Sequence, residues 1–262
     1  MKFKNKIVWI TGASSGIGRA LALEFARQGA IVAVTARRVE LLKKLVIEIK
    51  AEGGNAKAFY CDILNDSSIQ KCISDLISEY GKLDIAIANA GFGVVGKIED
   101  LTEKDWQRQL NGNVVGLALT IKYALPELRK TQGRIVLMGS VSAFVPSPNV
   151  GAYGASKAAV HSIGETLQVE LLGSGVTCTT IHPGFVVSEI TRIDNDGSYH
   201  KDREDPRPSN LMWPTNRAAK VIVNAIAKRK KVFVFTGHGK IAVFLGKFLP
   251  SIARKITSKT AK

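Results

Sequence analysis

The sequence holds 262 residues, enough to bury a full core, and open α/β sheets of this length are commonly one domain. Its formal net charge of +15 is lopsided, because no Asp or Glu follows Asp205 whereas 13 Lys and Arg do. No apolar run approaches the roughly 18 residues of a membrane span, and three scattered cysteines without nearby His partners argue against a metal site or a disulfide framework.

The first apolar stretch, "KIVWIT" (6–11), is too short for a signal peptide and reads as a strand. It runs into "TGASSGIG" (11–18), a turn bare enough of side chains to let a pyrophosphate approach the backbone at a helix N-terminus. Gly12, Ser14, Ser15, Gly16, Ile17 and Gly18 are therefore candidate dinucleotide contacts, although the spacing is GxxxGxG rather than GxGxxG. "LALEFARQGA" (21–30) carries an apolar face and stops near Gly29. The second strand, "AIVAVTA" (30–36), is followed at once by Arg37 and Arg38, with no acid before Glu40. An acid here would hold a ribose 2′-hydroxyl, whereas Arg pairs with a 2′-phosphate, so NADP(H) is the expected cofactor. Ser14 and Ser15 either add hydroxyls to that phosphate or cap the helix.

The alternation continues with strands at "AKAFYC" (56–61), "LDIAIAN" (83–89), "GRIVLMGS" (133–140), "VTCTTIH" (176–182) and "KVFVFT" (231–236). Helical patterns occupy 38–52, 66–79, 102–130 (as two helices) and 152–172. This order predicts an α/β fold, a single-domain Rossmann-type doubly wound parallel sheet of about seven strands with helices on both faces. Residues 192–210 are polar, Pro-containing and without period, and read as a mobile loop or lid inside a substrate loop near 185–214.

The catalytic domain is expected to span 1–237, with 238–262 a basic amphipathic extension. There Ile241, Phe244, Leu245, Phe248, Leu249, Ile252 and Ile256 recur at helical spacing among Lys240, Lys247, Arg254 and Lys255. Such a segment suits an anionic membrane interface, or packing on its own domain or a sister subunit. No nucleic-acid motif accompanies the charge, and no nucleic-acid partner is expected. The expected location is cytoplasmic, free or peripheral at a membrane.

"AYGASKAAV" (152–160) sets Tyr153 and Lys157 one helical turn apart on one face. An isolated phenol titrates near pH 10, about three units too high for proton exchange at neutrality, and a nearby ammonium favours its ionised form. Taken with "CDI" (61–63), "NAG" (89–91), Asn113 in "NGNVVG", Ser140 thirteen residues before Tyr153, and "PG" (183–184), the sequence resembles the short-chain dehydrogenase/reductase family from about residue 6 to about residue 190. The resemblance implies a carbonyl–alcohol oxidoreductase with Asn113, Ser140, Tyr153 and Lys157 as its catalytic set. It also implies Asp62 and Ile63 at the adenine, Asn89, Ala90 and Gly91 under its ribose, and Pro183, Gly184, Val186 and Ser188 at the nicotinamide. Lys157 then also holds the nicotinamide ribose, Asn113 a water in line with Lys157, and the chain forms a dimer or tetramer. His182, beside Pro183, is expected to be structural. A nucleotide-sensing scaffold, or a dehydratase or epimerase on the same fold, are the alternatives.

Phe92, Val94, Val95, Phe144, Val145, Val150, Phe185 and Val186 are expected to ring the cleft, with no Arg or Lys evidently placed among them. A hydrophobic carbonyl or alcohol, long-chain, sterol-like or sphingoid, fits such walls. The same residues could equally do no more than pack the sheet edge.

Overall fold

A computed structural model of the chain describes residues 1–258. Seven strands, β1 (Ile7–Thr11), β2 (Ile31–Ala36), β3 (Asn55–Tyr60), β4 (Ile85–Ala88), β5 (Arg134–Met138), β6 (Thr177–His182) and β7 (Val232–Val234), form one sheet in the order β3-β2-β1-β4-β5-β6-β7. Every pairing is parallel. All the predicted strands are present, shifted at their ends by at most two residues.

Parallel strands covered on both faces have no side to give to water, which is why β1 and β4 are buried at every residue. On β1 the alternation still sorts side chains: Val8 and Ile10 join one core and Ile7 and Trp9 the other. The first core is closed by α1 (Gly16–Arg27), α2 (Val39–Ala51) and α7 (Thr215–Ala227). The second is closed by α3 (Asp66–Tyr80), α5 (Gly116–Thr131) and α6 (Gly151–Glu170). Cys61, Cys72 and Cys178 are buried free thiols.

Two elements differ from the sequence reading. It assigns no helix between the long loop and β7, yet α7 is there and lays Ala218, Ala219, Ile222 and Ile226 into the first core. The stretch 102–130 holds the two helices expected, α4 (Glu103–Leu110) and α5, and the difference is the π-helical turn at Asn111–Val115 that joins them. Thr102 starts α4 with a capping box: its hydroxyl accepts from Asp105 N, and the Asp105 carboxylate accepts from Thr102 N at 3.0 Å.

The predicted C-terminal extension forms two helices, α8 (Gly237–Phe248) and α9 (Pro250–Ser258), broken where Pro250 opens the second; its last four residues lie outside the described chain. One face of α8 packs on the loop after β5, so closely that a Cβ on Gly246 would sit 2.2 Å from the Phe144 carbonyl oxygen. On the other side Ile241, Phe244, Phe248, Ile252 and Ile256 are all about half exposed or more.

Strands β1 and β4 mark the point where strand order reverses. The loops leaving their carboxyl ends turn in opposite directions, and the crevice between them is where an open α/β sheet receives ligands.

Candidate active site

The crevice is a cleft of about 310 Å³ bounded by the glycine turn, the ends of β2, β4 and β5, the start of α6 and the loop after β6. All the sequence-predicted site residues line it except Asn113, whose side chain is buried behind its wall.

At one end the glycines act as a cradle. Gly12 and Gly16 have φ of +67° and +55°, and a Cβ on Gly12 would meet Ala90 Cα at 2.7 Å. Asn89 ties the two loops together, its amide donating to Thr11 O at 2.9 Å and Gly12 O at 3.2 Å. A Cβ on Gly18 would lie 2.4 Å from the Gly12 carbonyl oxygen and 2.5 Å from the Asn89 amide nitrogen. Gly18→Ala is therefore expected to cost about 1–3 kcal/mol of stability and to weaken dinucleotide binding, read by chemical denaturation and by cofactor fluorescence titration.

The α1 N-terminus carries no acid in its first turn, and Ser15 makes no side-chain cap there. Instead Arg38 gathers both hydroxyls, donating to Ser14 Oγ and Ser15 Oγ at 3.0 Å each. Neither serine caps the helix, and the two hydroxyls lie beside a guanidinium. An uncapped helix start, a side-chain-free turn and this Arg–Ser–Ser group fit a dinucleotide with its diphosphate at α1. Asp62 turns its carboxylate back on its own loop, accepting from Leu64 N at 3.0 Å.

At the other end Ser140, Tyr153 and Lys157 converge. Ser140 extends from β5, and its hydroxyl accepts from Ser142 N at 3.1 Å and lies near enough to the Tyr153 phenol to favour its ionised form. Burial pushes the Tyr153 phenol above its ordinary value, partly offset by Ser140 and by the charge of Arg207. Lys157 donates to Met138 O at 2.9 Å, and its ammonium lies 5.7 Å from the Tyr153 ring centre. Burial lowers Lys157 from near 10.5 to about 8. The ammonium is thus turned to the end of β5, and the groups that offset desolvation at the phenol are Ser140 and Arg207.

Asn113 sits in the π-helical turn, a form common where a helix bends around a site. Its amide donates to Phe92 O at 2.9 Å and Ser156 Oγ at 3.1 Å, and its oxygen accepts from Phe92 N at 3.0 Å. The side chain is fully engaged by protein. A Cβ on Gly91 would lie 2.9 Å from Asn113 Oδ1 and 3.7 Å from Lys157 Nζ, so the two groups flank the same glycine. His182 is buried behind Ser140, with Nδ1 3.0 Å from Ser140 O and its pKa lowered to about 4, chiefly by burial.

The expected apolar ring holds only in part. Phe92 and Val186 line the cleft, but Val94 joins Ala152 in a small core, Phe144 is wedged between His161 and His182, and Phe185 stacks on His238. The remaining apolar wall is supplied by Met138, Ile190, Ile193 and Tyr199. The cleft also contains two cations that the sequence reading does not place there, Arg108 and Arg207. Arg108 donates to Asp194 O at 3.0 Å and caps the Phe92 ring at 4.3 Å. Arg207 pairs with Asp205 at 2.6 Å and reaches Ser188 Oγ at 3.3 Å. The helical pattern over 102–130 puts Arg108 on a helix without saying which way it faces, and Arg207 lies in an aperiodic loop with no signal at all.

That loop is no structureless segment. Its ends are joined by Val187 N to Trp213 O at 3.0 Å, short 3-10 turns fall at Glu189–Arg192 and Ser209–Leu211, and Asn195 exchanges two hydrogen bonds with the Val95 backbone. It crosses the cleft as a strap.

The family profile for short chain dehydrogenase matches residues 6–198, most of the chain and all of the crevice up to the strap. The chain belongs to the short-chain dehydrogenase family. Among relatives of this short-chain dehydrogenase, 11-beta-hydroxysteroid dehydrogenase 1A of Arabidopsis thaliana is 36% identical over 237 residues, covering 86% of this chain and 67% of that protein. An uncharacterised oxidoreductase of Staphylococcus epidermidis is 31% identical over 229 residues, covering 87% and 98%. Among solved structures, a short chain dehydrogenase/reductase from Burkholderia phymatum in complex with NAD superposes with a TM-score of 0.83 at 26% identity, covering 94% of each chain. An alcohol dehydrogenase from the archaeon Thermococcus sibiricus, complexed with 5-hydroxy-NADP, gives 0.77 at 26% identity over 89% of this chain and 97% of that one. Both nicotinamide cofactors thus occur among the structural neighbours.

Proposed function

We propose that this short-chain dehydrogenase interconverts a carbonyl and an alcohol on a hydrophobic substrate, using NADP(H). The observation that carries the reading is one cleft with Arg38 on Ser14 and Ser15 at one end and Tyr153 with buried Ser140 and Lys157 at the other. The dinucleotide supplies the hydride; the chain supplies the proton and the geometry. The glycine turn and α1 receive the diphosphate, and Arg38 with the two serines suits a 2′-phosphate better than a 2′-hydroxyl. Arg37, Ile63 and Gly184, which also line the cleft, complete the proposed cofactor contacts.

In the reducing direction the Tyr153 phenol, protonated at neutral pH, donates its proton to the carbonyl oxygen. Ser140 donates a second hydrogen bond to the same oxygen, so negative charge developing there meets donors already in place. Lys157 holds the ribose and restores the proton to Tyr153. Asn113, beside Lys157 across Gly91, is proposed to hold the water that replaces that proton from solvent. The apolar wall of Phe92, Met138, Val186, Ile190, Ile193 and Tyr199 favours a lipid-like or sterol-like body over a sugar. The steroid dehydrogenase among its relatives points the same way. Oxidation of NADPH against ketones and aldehydes of increasing chain length tests this: rates rising with chain length support it, and no NADPH turnover with any of them sinks it.

The exposed face of α8 and α9 supports an anionic membrane surface as a partner. Its half-exposed Ile241, Phe244, Phe248, Ile252 and Ile256 stand among Lys240, Lys247, Arg254 and Lys255, while α8 itself packs against the loop following Ser140. Replacing Phe244 and Phe248 together by Glu is expected to abolish sedimentation with anionic vesicles at unchanged thermal stability. Equal sedimentation by both proteins removes the membrane from the reading, and a homo-dimer or tetramer through this face would show instead as a loss of assembly in the variant.

A further inference from the structure

The strap that crosses the cleft brings an acid of its own to the residue read as the phosphate ligand. Glu189, the residue after Ser188, places its carboxylate oxygen 3.2 Å from Arg38 Nη2, and the same nitrogen already bonds Ser14 and Ser15. The two residues come from opposite ends of the fold. Arg38 follows β2, on the adenine side of the switch point, and Glu189 follows β6, on the substrate side. Their contact closes over the cleft between them, which both residues line. Glu40, the acid next in sequence to Arg38, is drawn off to Lys43 at 2.7 Å, so Glu189 is the anion that Arg38 holds.

We infer that Glu189 tempers the cofactor preference: its carboxylate occupies the 2′-phosphate position on Arg38, so a phosphate-bearing nucleotide must displace it and binds less tightly than it would in its absence, whereas a nucleotide with a bare 2′-hydroxyl is unaffected. The inference rests on the reading of Arg38, Ser14 and Ser15 as a 2′-phosphate site. A phosphate carries more charge than a carboxylate and three acceptor oxygens, enough to take Arg38 and both serine hydroxyls together. A ribose 2′-hydroxyl carries no charge and cannot displace Glu189 from the guanidinium. The pair is also weak enough to be exchanged. Its side chains are 41% and 33% exposed, and ion pairs of that exposure hold only modestly.

The exchange has a geometric consequence. Glu189 opens the strap whose further anchors are Arg108 to Asp194 O and Asn195 to the Val95 backbone, on the substrate side of the cleft. Release of Glu189 by a 2′-phosphate removes the strap's ion pair to Arg38 and leaves Val187 N to Trp213 O, Arg207 to Ser188 Oγ and the substrate-side anchors in place. A nucleotide lacking the phosphate leaves the ion pair in place as well.

The test is binding of 2′,5′-ADP and 5′-AMP, two probes that differ by the 2′-phosphate alone, measured by calorimetry on the full chain. Glu189→Gln keeps the size of the side chain and removes its charge. It is expected to tighten 2′,5′-ADP by about three- to fivefold, the range an exposed pair allows, and to leave 5′-AMP unchanged. Arg38→Ala should weaken 2′,5′-ADP, and adding Glu189→Gln to it should change nothing further, because the two substitutions act on one contact. If Arg38→Ala weakens 2′,5′-ADP while Glu189→Gln leaves it unchanged, the competition is overturned and the phosphate site stands. If wild type binds the two probes equally and Arg38→Ala has no effect, the phosphate site falls and the competition with it.

Discussion

Tyr153→Phe is expected to lower turnover by about 10²- to 10⁴-fold, the range general-acid catalysis supplies, while the dissociation constant for the dinucleotide changes little. The two readouts separate because the phenol stands with Ser140 at one end of the cleft, whereas the groups read as binding the diphosphate and 2′-phosphate lie at the glycine turn and Arg38. A Cβ on Gly93 would lie 3.6 Å from the Tyr153 ring, so the ring sits beside that glycine and Phe fills its place. The hydroxyl alone is removed. Burial holds it above its ordinary pKa, which suits a donor in the reducing direction. Stopped-flow or steady-state rates on any substrate found by the chain-length series, together with fluorescence titration of NADPH, make the measurement. Wild-type turnover in Tyr153→Phe would overturn the proposed mechanism.

What the sequence disclosed and what it withheld divide along physical lines. Local rules carried far: the β-branched runs, the bare turn at Gly12–Gly18 and the one-turn spacing of Tyr153 and Lys157 all speak through neighbours in the chain, and the sheet and the crevice followed from them. α7 was equally legible, since Ala218, Ile222 and Ile226 recur every four residues, but its apolar face lies in a stretch dominated by loop residues before it and a basic cluster after it. The walls of the cleft were not local. Phe144 and Phe185 follow the motif residues directly and were expected to face the substrate, yet each is claimed by histidines from other elements, His161 and His182 for one and His238 for the other. Their place was taken by Ile190, Ile193 and Tyr199, which belong to a strap held by contacts 86 to 151 residues distant in sequence. No periodicity encodes such contacts. The same is true of Glu189, whose partner Arg38 is known only once β6 stands across the sheet from β2.

Lys157 should show activity and stability moving in opposite directions. It is buried, with burial lowering it from near 10.5 to about 8, and no carboxylate pairs with it; Met138 O is its one hydrogen-bond acceptor among the described residues. A lysine whose folded pKa lies below its unfolded one binds fewer protons in the folded chain across that interval. Wild-type stability should therefore carry a contribution that rises between pH 8 and pH 10.5 and is missing below pH 8, where the buried charge is kept at a cost. At about 1.4 kcal/mol per pKa unit the upper bound of that cost is about 3 kcal/mol. Lys157→Met removes the charge and fills the space, giving up one hydrogen bond worth about 1 kcal/mol. The variant should be at least as stable as wild type at pH 7, and the difference should shrink or reverse by pH 10.5. Turnover should nevertheless fall by about 10²-fold or more, because the group that restores the Tyr153 proton and holds the ribose is gone. In wild type the same titration should appear as a fall in kcat/KM for reduction above about pH 8, where Lys157 loses its charge. Chemical denaturation at pH 7 and pH 10, beside the pH–rate profile, tests both limbs. A Met variant clearly less stable than wild type at pH 7 would mean that the ammonium stabilises the fold rather than serving the reaction.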